Sequence, residues 1–167
     1  MKQSMFIHDE NTYNVSAARE ILPLVFNEFL PSSVLDIGCG IGTWLNVAKE
    51  LGVPSILGID GDYVDRLKLK IADDNFLAND LNLPIDLQRR FGLVICLEVA
   101  EHLPIQSARI LIESLVKHGD TILFSAAIPN QGGQNHVNEQ WPEYWQELFA
   151  IFGYSPFDIL RSKIWGN

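Results

Sequence analysis

Val34 to Trp44 reads VLDIGCGIGTW. An apolar run of strand character passes directly into three glycines, each separated from the next by one residue. Glycine weakens strands and helices alike, so three at one junction imply backbone conformations or close approaches that a side chain forbids. Beyond them Leu45, Val47, Ala48 and Leu51 follow a helical repeat that Gly52 ends, with Thr43 expected as its cap. The segment reads as strand, tight glycine turn and helix, which is how a parallel α/β layer begins.

The rest of the chain continues that alternation. Val15, Ala18, Leu22, Val25, Phe26 and Phe29 are spaced for a helix that closes before Pro31. SILGID (55–60) is a second strand, NFLAND a shorter third and FGLVICLE a fourth. Pro104 suits the first turn of a helix with Ala108, Leu111, Ile112 and Leu115 on one face and Gly119 at its end. TILFSAA is a fifth strand. Pro142 opens a helix that turns Trp145, Leu148, Phe149 and Phe152 inward and stops at Gly153, and PFDIL offers a sixth strand. Near-continuous apolar strands between amphipathic helices indicate a mostly parallel sheet covered on both faces. With no linker, repeat or low-complexity tract, residues 1–167 are expected to form a single domain: an N-terminal lid and helix (1–30), a core (33–153) and a shortened C-terminal strand region (154–167).

Composition narrows the partners. The formal charge is −9, and the nearest basic cluster, Arg66, Lys68 and Lys70, is flanked by aspartates, so no nucleic-acid partner is expected. No apolar stretch approaches the roughly 20 residues of a membrane span, and the N-terminus lacks a signal peptide's apolar core. A cytoplasmic protein with no membrane partner is the expectation. Cys39 and Cys96 have no metal-ligand spacing and are expected to be reduced and buried. His8 and His118 are expected to be exposed and incidental.

In an open parallel sheet, ligands bind beyond the carboxyl ends of the strands. Gly38, Gly40 and Gly42 form G-x-G-x-G, which departs from the G-x-G-x-x-G of dinucleotide sites. Asp36, two residues before the first glycine, suits a cationic group better than a phosphate. Asp60 ends the second strand, where a carboxylate accepts from ribose hydroxyls. Asp80 ends the third, placed to accept from an adenine amino group, with Leu81 beside it. An ammonium, a ribose and an adenine together describe S-adenosylmethionine, whose spent form is S-adenosylhomocysteine.

These motifs resemble those of class I S-adenosylmethionine-dependent methyltransferases of the small-molecule methyltransferase-domain type. VLDIGCGIGTWL, LGIDGDY, LANDLNLP and FGLVICLEVAEHLP follow one another in the family's order. FSAAIPNQGGQNHVNEQWPEYWQELFAIFGY resembles the fifth strand, active-site loop and next helix of one branch. The resemblance runs from about Asn11 to Gly153 and implies a Rossmann-like sheet and methyl transfer to an oxygen or nitrogen of a small molecule. It also implies cofactor contacts from Tyr13 as part of a lid and from Cys39, Trp44, Gly61 and Leu97 beside the motif residues. The family's sheet has seven strands; this chain is expected to lack the last, leaving an apolar edge suited to pairing as a homodimer or to cover by the terminal segment.

For the reaction, His136 in the loop after the fifth strand is the first candidate base, since a neutral imidazole suits proton abstraction near neutral pH. Glu98 and His102, after the fourth strand, are supporting residues, with Glu101 beside them. Asn135, Asn138, Glu139 and Trp141 crowd the same region. No metal is expected. Two other readings stay open: a cofactor-binding but catalytically silent partner subunit, and a nicotinamide-binding domain, which the glycine spacing disfavours.

Overall fold

Residues whose side chains alternate between two apolar layers form the centre of the computed structural model, which describes residues 15–164. Tyr13, His8 and the segment expected to act as a lid lie outside the described residues. Strands β1 (Ser33–Ile37), β2 (Ser55–Asp60), β3 (Phe76–Ala78), β4 (Leu93–Leu97) and β5 (Ile122–Ser125) form one sheet, in the order β3-β2-β1-β4-β5. Every pairing is parallel, with Asp36 opposite Gly58 on β2 and opposite Ile95 on β4.

The alternation decides what each face buries. Val34, Leu93 and Ile95 point to a core shared with α1 (Ser16–Glu28) and α2 (Thr43–Glu50), through Ala18, Leu22, Val25, Leu45 and Ala48. Their chain neighbours Leu35, Ile37, Val94 and Cys96 point to the opposite core, formed with α3 (Ala108–His118) and α4 (Pro142–Ile151) through Leu111, Ile112, Leu115 and Trp145. Burying an aliphatic side chain contributes about 1.5–3 kcal/mol, and β1 buries all five of its residues. A strand so placed cannot shift register without moving one core into the other.

Several local readings change. Gly42, with φ of 82°, occupies the cap position of α2, and Thr43 is already the first helical residue. A left-handed cap is open to glycine at little cost and to threonine only under strain. Pro104 precedes a 3₁₀ turn, Ile105–Ser107, and α3 begins after it. PFDIL forms no strand: the segment is irregular and leads into the short helix α5 (Arg161–Ile164). Phe157 is 83% exposed, so the apolar residues that suggested a strand there find no sheet to pack on. Among the described residues there is neither a sixth nor a seventh strand, and β5 is an edge.

His118 is the other correction. It is 1% exposed; its Nδ1–H donates to Ser114 O at 2.6 Å and its Nε2 accepts from Leu87 N–H at 3.0 Å. Both cysteines are buried and free, as expected. No helix of the described residues is long and apolar enough to cross a membrane.

From β1 the chain steps outward to β2 and β3, then returns to place β4 on the other side of β1. The loops leaving β1 and β4 therefore start side by side where the strand order reverses, the place at which open parallel sheets bind ligands.

Candidate functional site

The loop leaving β1 is held by its own backbone. Gly38, Gly40 and Gly42 have φ of 86°, 54° and 82°, values that favour glycine. Gly38 N–H and Cys39 N–H both donate to Ile59 O, at 2.7 and 3.2 Å. A Cβ on Gly38 would run into the side chain of Val99, from the loop after β4. The requirement that the sequence raised is met here by conformation and close approach together.

Asp60 anchors the same loop from β2. One carboxylate oxygen accepts from Gly40 N–H at 2.7 Å; the other accepts from Gly61 N–H and the Tyr63 hydroxyl, each at 2.6 Å. The residue expected to meet a ribose is thus 4% exposed and already braces the glycine turn. Asp62, two positions on, is exposed at the same strand end and was missed. The D-x-D spacing in GIDGDY was the signal available. Asp80 is exposed and accepts from the backbone and side-chain N–H groups of Asn82, while Leu81 beside it is buried. Asn79 N–H donates to Asp60 O at 2.8 Å, so the ends of β2 and β3 stay together.

Asp36 differs from both. It is 3% exposed, and its Oδ2 has no hydrogen-bond partner. Burial, and secondarily the negative charge of Asp60, push its pKa up to about 8. A buried carboxylate without a counter-charge is costly, and an incoming cationic group would relieve that cost. The residues present therefore fit a ligand with an ammonium group at this point. Cys39 does not add a thiolate: its Sγ lies against Gly58, 2.6 Å from where a Cβ there would sit, and burial pushes the thiol up. Trp44 and Leu97 are half-buried and pack on the α1–α2 core.

The other half of this end of the sheet is built from the end of β4. Glu98 is exposed with φ of 55°, and its Oε1 accepts from the Ser125 hydroxyl at 2.6 Å. A non-glycine residue held in the left-handed region is a strained position of the kind found at functional sites. A 3₁₀ turn, Ala100–His102, follows. Glu101 within it is fully buried, and neither carboxylate oxygen has a hydrogen-bond partner. Burial is the main cause that moves its pKa up to about 7. Burial likewise holds His102 below the ordinary imidazole range.

The loop between β5 and α4 closes over this turn. Val137 N–H and Asn138 N–H donate to Glu101 O at 2.8 and 3.0 Å. Glu139 organises the loop: Oε1 accepts from Gly132 N–H and from His136 Nδ1–H, both at 3.0 Å, and Oε2 accepts from Asn130 N–H at 2.9 Å. The result sets the His102 and His136 rings edge to face with centroids 4.8 Å apart. Sequence reasoning singled out Glu98 and both histidines and undervalued Glu101 and Glu139. The E-x-x-E-H run and the H-x-x-E spacing carried that signal. Trp145 belongs to the core, whereas Trp141 is 55% exposed.

Residues 8–158 match the sequence family described as a methyltransferase domain. Among solved structures, the magnesium protoporphyrin IX methyltransferase of Synechocystis superposes with a TM-score of 0.65 at 20% identity, over 92% of this chain and 80% of that one. A methyltransferase from Archaeoglobus fulgidus gives 0.64 at 22% identity, over 86% and 72%. The ribosomal protein L11 methyltransferase of Fusobacterium nucleatum is 26% identical over 117 residues, 62% of this chain and 35% of that protein. The matches span about a third of the length of the curated relatives. By the extent of the family match, the chain belongs to the methyltransferase-domain family, and it has the fold of class I methyltransferases.

Proposed function

We propose that the chain transfers a methyl group from S-adenosylmethionine to an oxygen or nitrogen of a small molecule. When bound, that cofactor supplies an electrophilic methyl group on a sulfonium. The observation that carries the reading is the buried, partnerless Asp36 oxygen beside a glycine-rich turn at the switch point of the sheet. Asp36 would hold the ammonium, and the backbone of the glycine turn after it would lie along the chain of the cofactor. The ribose would fall at the end of β2, where Asp60 braces the turn and Asp62 is the exposed carboxylate. The adenine would lie by Asp80 and Leu81.

The acceptor would dock over the β4 end. Glu98, His102 and His136 face that space, and the loop around them exposes Ile128, Val137 and Trp141 to an apolar acceptor body. His136, its Nδ1–H directed to Glu139, presents Nε2 to take a proton from the acceptor. Much of the rate enhancement would come from holding the acceptor in line with the methyl group. Relatives of this fold described as acting on a porphyrin and on N-acetylserotonin make a small-molecule acceptor chemically reasonable.

Calorimetry with S-adenosylhomocysteine and, separately, NAD tests the cofactor half: the first should bind and the second should not. Screening small-molecule extracts with labelled cofactor tests the transfer half. A His136→Ala variant should lose turnover while still binding cofactor; full turnover would remove His136 from the reaction. Tight product binding with no turnover on any acceptor would mark the chain as a silent cofactor-holding subunit.

A further inference from the structure

Two buried carboxylates flank the glycine turn, and their surroundings differ. Asp60 is met by three donors, Gly40 N–H, Gly61 N–H and the Tyr63 hydroxyl. Asp36 is buried alike, but no donor reaches its Oδ2. We propose that the free chain keeps Asp36 as a neutral carboxylic acid, and that the ammonium group of the arriving cofactor displaces its proton to solvent. Cofactor uptake is then coupled to proton release. This rests on the methyltransferase reading and adds to it a pH control of cofactor loading.

The first support is that nothing positive faces Asp36 among the described residues. By the alternation of β1, Asp36 shares a face with Val34, toward α1 and α2. Those helices turn Ala18, Leu22, Leu45 and Ala48 to that layer, whereas their charged residues Arg19, Glu20, Glu28, Lys49 and Glu50 are exposed. Within the sheet, Asp36 lies between Gly58 and Ile95. The titratable groups that interact with it are Asp60, Cys39 and Cys96. Burial pushes both thiols up, so they stay neutral, and the one charge left is the negative charge of Asp60.

The second is the division of donors. Hydrogen bonds to a carboxylate favour its charged form, and burial without them favours the acid. Three donors on Asp60 and none on Asp36 Oδ2 leave the pair with one negative charge rather than two. The Asp36 pKa of about 8 agrees with that geometry.

The ammonium brings the missing positive charge. The Asp36 O–H bond breaks, the proton passes to a buffer base, and the carboxylate left behind accepts from the ammonium N–H groups. Affinity therefore rises with pH while free Asp36 still has a proton to lose, and levels off once it has none. A ligand with the same nucleoside and no ammonium expels no proton.

The test is titration calorimetry of the full chain with S-adenosylhomocysteine at about pH 7, in phosphate and in imidazole, two buffers with very different heats of protonation. Release of roughly one proton per nucleoside bound is expected, with an association constant that rises about tenfold per pH unit between about pH 6 and 7.5. 5′-Methylthioadenosine, which lacks the ammonium, should bind without proton release. Asp36→Asn should bind both ligands, which shows that it is folded, and release no proton with either. The variant also separates Asp36 from Glu101, whose pKa of about 7 makes it the other proton source at this end of the sheet. A wild-type chain that binds S-adenosylhomocysteine without releasing a proton overturns the proposal. Equal release with methylthioadenosine, or in the Asn variant, overturns it as well. Binding of neither nucleoside would remove the methyltransferase reading instead.

Discussion

Asp36 stands among apolar neighbours, and its pKa of about 8 in the fold compares with 3.8 for an ordinary aspartate. Between those values the native state keeps a proton that the unfolded chain has released. The free energy of unfolding therefore falls as pH rises from about 4 to about 8, by an amount on the order of a few kcal/mol. Chemical denaturation of the cofactor-free chain across that range should show the decline, and Asp36→Asn should reduce it, leaving the part that Glu101 contributes through its own pKa, raised to about 7. Asp36→Asn should also be the more stable protein at pH 8 while binding cofactor at least about tenfold more weakly, the usual cost of a lost charged contact. Gly38 allows a second expectation at this scale. Gly38→Ala combines a left-handed φ of 86° with a collision against Val99. It should destabilise the chain on the order of 3 kcal/mol, measured by urea titration.

At the scale of elements, the loop between β5 and α4 depends on one side chain. Glu139 accepts from Asn130 N–H, Gly132 N–H and His136. Glu139→Gln should speed hydrogen exchange at the Asn130 and Gly132 amides about tenfold, consistent with roughly 1.4 kcal/mol of lost local stability, while leaving β1 and β4 protected. Unchanged exchange would mean the loop is held elsewhere. The elements legible in the sequence were those with local causes. Near-continuous apolar runs marked β1, β2 and β4, and 3.6-residue spacing marked α1, α2, α3 and α4. What stayed hidden depended on distant partners. His118 is buried because Leu87, 31 residues away in sequence, meets its ring. Glu101 is buried because the loop at Val137 and Asn138 folds over it. PFDIL had the composition of a strand but no neighbouring edge to receive it. Asp60 shows the same limit within the site: its position was readable, but the three donors that engage it were not.

Over the molecule as a whole, the sheet of the described residues ends at β5, whose four residues are each only partly covered. An edge strand presents unpaired backbone groups, which favour pairing with a second copy. Sedimentation should show self-association that rises with concentration, whereas a clean monomer at high concentration would contradict it. The larger claim is that the carboxyl ends of β1 and β4 are built to hold a nucleoside that carries an ammonium group. Three separate strand ends converge on it: Asp36 from β1, Asp60 from β2 and the Glu98–His102 turn from β4. Titration calorimetry of wild type and Asp36→Asn with S-adenosylhomocysteine at pH 7.5 tests that most directly. The structure leads us to expect one site per chain in the wild type and a clear loss of affinity in the variant. No binding, or equal binding by both proteins, would contradict it.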